Sequence, residues 1–272
     1  MPTLYVTDLD GTLLNRQAEL SPFTLQTVNW LLAEGVLFSY ATARSLISAQ
    51  QVTRGLSGSF PVVVNNGAFI RNCSTGEILA GQFFSPEECR YAREIFLQCG
   101  VYPLVYSLVG GTERVSHLSR TVSCEMQRYL DSRREDPRMR AVDSIQALYE
   151  GNPFYFNCIG PREQLIPVYE IFRREKQFHC IFDVDLYSGD DWCEIMPAGT
   201  TKANGILRLK QMLGCDRVVC FGDALNDLSM FKIAEECYAV ENAKAEVKAA
   251  ADAVIGSNEQ DGVADWLQKH AV

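Results

Sequence analysis

Strand and helix patterns alternate at both ends of this 272-residue chain and stop in between. That interrupted alternation limits the possible folds more than any other feature. The stretch "LYVT" reads as a strand, and "SPFTLQTVNWLLAEG" as a helix with Ser21 as cap, Pro22 at its first position, Leu25, Val28, Leu31 and Leu32 on one face, and Gly35 at its close. "VLFSYATAR" is a second strand ending at Thr42, "LISAQQVTRGL" a second helix, and "PVVVNNGAF" a third strand that turns at Asn65-Asn66-Gly67. The pattern resumes late. "TTKANGILRLKQMLG" is helical, "RVVCFGD" is a short buried strand, "DLSMFKIAEEC" is helical and "CYAVEN" is a strand; a helix, a short strand and a final helix follow. Such alternation calls for a parallel sheet with right-handed crossovers.

The middle has another texture. "SPEECRYAREIFLQCG" carries a Ser85…Glu88 capping box and a closing Gly100, and "PLVYSLVGGTERVSHL" reads as two strands joined through Gly110-Gly111. The charged segment "DSRREDPRMRAVDS" follows, then a strand "FYFNCIG", a helix "PREQLIPVYEIFRREK" and a pair of strands from Phe178 to Met196. The expected fold class is α/β: a Rossmann-like parallel-sheet core from residues 1–82 and 191–272, interrupted by an inserted α+β domain over 83–190.

A formal net charge of −9 with no basic run argues against nucleic acid or an anionic membrane as a partner. Ten cysteines without a CxxC pair, and three histidines far apart, read as reduced, mostly buried residues and not as a zinc site. No stretch approaches a membrane span, and Met1-Pro2 leads into a strand without a leader pattern, so a cytoplasmic protein is expected, a monomer or weak homo-oligomer.

Asp8 and Asp10 lie where the first strand meets Gly11. They could be plain loop acids. A calcium loop counted from Asp8 fails, because Leu13 stands where the sharp turn needs glycine and a strand precedes the loop. The chemical reading has both carboxylates on one side of an extended strand. There a hard dication such as Mg²⁺ offsets their repulsion, one attacks phosphorus, and the other, its pKa raised, shuttles a proton. This demands further groups at other strand ends: Asp223, Asn226 and Asp227 in "VVCFGDALNDL", Thr42 and the amides after it, and Lys202 at a helix start. Taken singly, Lys202 reads as a solvated lysine, Thr42 as a cap, and Asp223 and Asp227 as cap and surface acids. Four such edges in one α/β chain argue for a shared site.

"DLDGT", the threonine after the second strand, the lysine before a late helix and "GDALND" resemble the four motifs of the haloacid dehalogenase superfamily of phosphohydrolases. "VNNGA", "EIMPAGTTKANGI" and "AVENA…VKAAAD…DGVA" resemble its Cof-like branch with a type IIB cap, over essentially the whole chain. The resemblance implies Asp8 as nucleophile and Mg²⁺ ligand, Asp10 as general acid/base and metal ligand through its carbonyl, and Asp223 as a metal ligand. Thr42, Ala43, Arg44 and Lys202 would hold the phosphoryl group, with Asn226 and Asp227 completing the site. Ala43 replaces a usual glycine, at roughly 1 kcal/mol if the position needs positive φ. The implied activity is a Mg²⁺-dependent phosphatase acting through a phosphoaspartate on a small phosphorylated metabolite of the sugar-phosphate kind, with the cap setting specificity. Tyr106, His117, Phe154, Tyr155, Tyr187 and Trp192 are candidate contacts for the leaving group. A phosphotransferase of the phosphomannomutase type and a non-catalytic metabolite-binding protein are the alternatives.

Overall fold

A computed structural model describes residues 2–120, 123–184 and 189–271. The chain divides into two compact units, Met1–Gly81 with Thr200–Val272, and Gln82–Gly199. The first unit opens with β1 (Thr3–Thr7), α1 (Pro22–Ala33), β2 (Leu37–Tyr40), α2 (Leu46–Val52), β3 (Pro61–Val64), β4 (Phe69–Asn72) and β5 (Ile78–Gly81). The second runs through α3 (Pro86–Gln98), β6 (Leu104–Val109), β7 (Thr112–Leu118), α4 (Cys124–Ser132), β8 (Met139–Val142), α5 (Ile145–Leu148), β9 (Asn152–Ile159), α6 (Arg162–Phe172), β10 (Phe178–Val184) and β11 (Asp191–Pro197). The chain then returns to the first unit as α7 (Lys202–Leu213), β12 (Arg217–Gly222), α8 (Leu228–Phe231), β13 (Glu236–Val240), α9 (Ala245–Ala250), β14 (Ala253–Ile255) and α10 (Gly262–His270).

The first unit is built on a parallel sheet in the order β14-β13-β12-β1-β2. Strands covered on both faces must be apolar along their length, and Val218, Val219, Cys220 and Phe221 of β12 are all buried. Each large side chain so buried contributes roughly 1.5–3 kcal/mol. The α1 helix starts where expected: Ser21 Oγ accepts the Thr24 N–H at 3.0 Å, Pro22 follows, and Val28 and Leu31 are buried. On the C-terminal side Trp266 of α10 packs against the rings of Tyr5, Phe221 and Tyr238.

The third apolar run meets expectation in part. β3 lies parallel to β2 at the Ala41–Val63 bridge, with Ser39 Oγ donating to Pro61 O at 2.9 Å, but its ladder is antiparallel with β4, which pairs with β5. The cause is the turn at Asn65–Gly67, which sends the chain back beside β3. "DLSMFKIAEEC" is likewise helical only over Leu228–Phe231.

In the second unit a six-stranded sheet has the order β10-β11-β9-β6-β7-β8, antiparallel except for β7 with β8. Phe96 and Ala92 of α3 and Leu165, Val168 and Phe172 of α6 share a core with Val105, Phe156, Cys158 and Ile195 of the strands. The Ser85/Glu88 capping box and the Gly110-Gly111 hairpin both form. Residues 191–197, expected in the core, are instead β11, paired between β10 and β9. A strand bonded on both edges belongs to its sheet, and the boundary falls after it, at the turn through Ala198 and Gly199. Within and before the charged stretch the chain forms α4 and β8, the latter beside Arg138, which pairs with Glu113 at 2.8 Å and Asp136 at 2.6 Å. All ten cysteines are free, and no described helix is long and apolar enough to cross a membrane.

Candidate active site

β1 ends at Thr7, and Asp8 is the first residue beyond it, in the middle of the parallel sheet with β12 on one side and β2 on the other. The Asp8 N–H donates to Phe221 O at 2.9 Å, which fixes its backbone at the sheet edge. The chain then closes a wide turn in which the Leu14 N–H donates to Leu9 O at 2.9 Å. Asp8 and Asp10 therefore do not share a strand face, contrary to the expectation from their spacing. The turn begins directly after Asp8 and passes through Gly11 at φ +80°, leaving Asp8 buried and Asp10 exposed.

What meets Asp8 comes from the late part of the chain. Thr201 caps α7, accepting the Asn204 N–H, and Lys202 at the first helical position is 2% exposed. Its Nζ lies 2.5 Å from Asp8 Oδ1 and 2.8 Å from Asp227 Oδ1. Asp227 is fully buried, and its Oδ2 accepts the N–H groups of Asp223 and Ala224 at 3.0 Å each. Asp223, just past β12, accepts from Thr12 Oγ1 through Oδ1 at 2.8 Å. A Cβ on Gly11 would stand 2.5 Å from Asp223 Oδ2, so glycine is what lets that carboxylate approach the first loop.

Asp8, Asp223 and Asp227 each bring a carboxylate oxygen to within 4.8 Å of one another, the one group among the described residues arranged to hold a metal ion. One lysine cannot balance three carboxylates. Burial pushes Asp8 up to about 8, against the pull of Lys202 and with the push of Asp227 and Asp223. Burial likewise raises Asp223 to about 6, Thr12 opposing and Asp227 adding to the rise. Burial acts against the charge of Lys202, but the attraction of Asp8 and Asp227 outweighs it and holds its pKa above the ordinary lysine value. Hard oxygen donors with surplus negative charge suit a hard dication.

The remaining expected residues are placed as follows. The Asp10 carboxylate stands apart from the acidic group and is gripped by Arg44, Nε to Oδ2 at 2.7 Å and Nη2 to Oδ1 at 2.5 Å. Thr42 is buried beyond β2, its N–H on Val63 O at 3.0 Å and its Oγ1 accepting the Arg44 N–H at 3.1 Å. Ala43 has no positive φ, so the expected strain at that position does not arise. Asn226 is exposed beside Asp227.

Two supports escaped the sequence reading. Thr12 holds Asp223, as above. Asn242, two residues past β13, donates through Nδ2 to Gly11 O at 2.7 Å and accepts the Asn258 N–H at 3.0 Å; Asn258 Nδ2 in turn donates to Leu14 O at 2.9 Å. The strand-end rule that found Thr42 and Asp223 would also have found Asn242. In the second unit, Tyr106, Tyr155 and Trp192 gather on one face with Tyr129 and Glu194. Tyr106 OH is 3.0 Å from Tyr129 OH, Tyr155 OH donates to Glu194, and Trp192 meets the Tyr129 ring edge-on. Phe154 is fully buried, His117 Nδ1 is 3.3 Å from Leu118 O, and Tyr187 lies outside the described residues.

Known proteins resemble this chain along nearly its whole length. The chain is 25% identical over 286 residues to the chloroplastic endoribonuclease YBEY of Arabidopsis thaliana, with 97% of this chain matched, and spans about half (46%) of that relative's length. It is 24% identical to the 5-amino-6-(5-phospho-D-ribitylamino)uracil phosphatase YwtE of Bacillus subtilis, over 96% of each protein. A crystal structure of a haloacid dehalogenase-like hydrolase from Bacteroides thetaiotaomicron superposes with a TM-score of 0.77 at 23% identity, covering 99% of both chains, a likeness of fold. The family model for haloacid dehalogenase-like hydrolases matches residues 5–267, from β1 into α10, and the chain belongs to that family.

Proposed function

We propose that the chain is a Mg²⁺-dependent phosphatase that hydrolyses a small phosphorylated metabolite of the sugar-phosphate class through a phosphoaspartate at Asp8. The observation that carries this reading is the contact of Lys202 Nζ with Asp8 Oδ1 at 2.5 Å inside a buried acidic group. Lys202 occupies one oxygen of Asp8 and leaves the other for attack on phosphorus. Asp8 and Asp223, with the Asp10 carbonyl, would hold the dication, which neutralises surplus charge and keeps Asp8 ionised despite its burial.

This chain's own groups divide the remaining work. Asp8 forms the O–P bond as the P–O bond to the alcohol breaks, and Asp10, released by Arg44 and entering the step protonated, gives that alkoxide its proton. Asp10 then takes a proton from the water that cleaves the phosphoaspartate, releasing inorganic phosphate and restoring Asp8. Thr42, the amide of Ala43, Arg44 and Lys202 hold the phosphoryl oxygens. Asp227 anchors Lys202, and Asn226 lies at the rim. A phosphatase among the relatives supports the reaction class.

The test is phosphate release from a panel of phosphorylated metabolites by the purified protein with Mg²⁺, alongside Asp8→Asn. Turnover by the wild type, lost in the folded variant, is the expected result. Unchanged turnover in Asp8→Asn would sink the mechanism.

A further inference from the structure

Between β3 and β4 the chain turns through Asn65, Asn66 and Gly67, with φ of +52°, +53° and +95°. Two successive left-handed residues that are not glycine are unfavourable, though asparagine tolerates the region better than most. Asn65 Oδ1 is also buried with no hydrogen-bond partner, a second local cost. Left-handed residues are common in tight hairpin turns, but chain reversal does not call for a buried, unpaired oxygen.

The turn makes its contacts outside its own hairpin. The Asn65 N–H donates to Arg44 O at 2.9 Å, and the Asn66 N–H to Thr42 O at 3.0 Å. On the other side Gly67 abuts the start of α7. A Cβ there would lie 2.0 Å from Thr201 O and 3.2 Å from Lys202 N, both backbone atoms that cannot swing away. One helical turn later Gly205 repeats the close approach, since its Cβ would fall 2.5 Å from Val63 Cγ1 and 3.2 Å from Gly67 Cα. One tight turn thus touches the backbone of both Thr42–Arg44 and Thr201-Lys202.

We propose that the left-handed Asn65-Asn66-Gly67 turn is a positioning element that fixes the spacing between the Thr42–Arg44 loop and Lys202, both of which would grip the phosphoryl group. This rests on the phosphatase reading above. The turn acts through backbone conformation, so what matters at Asn66 is access to the left-handed region and not the amide side chain.

The test compares Asn66→Gly, Asn66→Ala and Asn66→Val, with p-nitrophenyl phosphate and Mg²⁺ as assay and inorganic phosphate as inhibitor; circular dichroism checks folding. Asn66→Gly keeps kcat and phosphate inhibition within about threefold of wild type. Asn66→Val, which resists a left-handed φ, lowers kcat roughly 10- to 100-fold and weakens phosphate inhibition in step. Asn66→Ala falls between, and serves in its place if the valine variant does not fold. The inference is overturned if folded Ala and Val variants match wild type in both readouts, or if Asn66→Gly loses as much as Asn66→Val. A wild type that releases no phosphate from any substrate overturns the phosphatase reading instead.

Discussion

Replacing Asp227 by asparagine changes one atom in the most crowded part of the site. Asp227 Oδ2 serves two backbone N–H groups at 3.0 Å, and Oδ1 serves Lys202 Nζ at 2.8 Å. Three donors face two acceptor oxygens, and asparagine has only one such oxygen. Turned toward the amides, that oxygen leaves an NH₂ group facing the ammonium of Lys202. Turned the other way, it leaves two buried N–H groups facing an NH₂. The first arrangement loses less, a single charge-assisted bond worth about 1.5–3 kcal/mol, plus the repulsion of donor against donor. Lys202 keeps Asp8, so the loss stays below the 3–5 kcal/mol typical of a fully broken buried pair. We expect about 3 kcal/mol of destabilisation, or roughly a 6–12 °C fall in Tm by calorimetry in EDTA. Lys202, held from one side only, also loses its aim, and kcat should drop roughly 100-fold. A folded variant within 1–2 °C (about 0.5 kcal/mol) and threefold of wild type would refute the view that Asp227 is the anchor of Lys202.

Three further outcomes can be checked. In the metal-free protein Asp8 titrates at about 8 when folded, against 3.8 ordinarily, so between these values the folded chain binds a proton that the unfolded one does not. Stability from this group therefore falls as pH rises from about 4 to about 8, and the Tm advantage of wild type over Asp8→Asn in EDTA should shrink across that range; an advantage that grows would contradict the sign. Asp223, raised to about 6, must also lose its proton before it can hold a cation, so calorimetric Mg²⁺ affinity should strengthen from pH 5 to pH 8, where a flat profile counts against Asp8 and Asp223 as ligands. Gly11→Ala forces a methyl to within 2.5 Å of Asp223 Oδ2 at a positive φ, and should weaken Mg²⁺ binding at least about tenfold while costing about 1–2 kcal/mol of stability, read from titration and urea melts.

Much of the framework was legible because its signals are local. The apolar run Val218–Phe221, the Ser21-Pro22 start of α1 and the Gly110-Gly111 hairpin each follow from adjacent residues and formed as read. The failures come from pairing choices that lie outside the segment itself. Nothing in "PVVV" distinguishes a strand inside a parallel sheet from one folded back on β4, since Val62, Val63 and Val64 are buried either way. Nothing in "DWCEIMP" says that it pairs with β9. At the site, strand-end position located Asp8, Thr42 and Asp223, yet the separation of Asp8 from Asp10 depends on a turn that closes one residue earlier than a continuing strand would allow. Thr12 escaped for a related reason, since it supports Asp223 through a hydrogen bond that only the assembled sheet edge creates, whereas Asn242 stands at a strand end where the same rule could have found it.

The placement of β1 also bears on how the protein is made. This interior strand emerges well before β12, its partner on one side, which follows more than two hundred residues later, as do the asparagines that tie down the Asp8 loop, with Lys202 194 residues after Asp8. At typical synthesis rates the edge of β1 that β12 will cover waits roughly 10–40 s for its partner. Throughout that interval the nascent chain carries an apolar strand with open backbone donors and acceptors, the kind of edge that recruits other chains. The order of synthesis thus leaves β1 unfinished until β12 has been made.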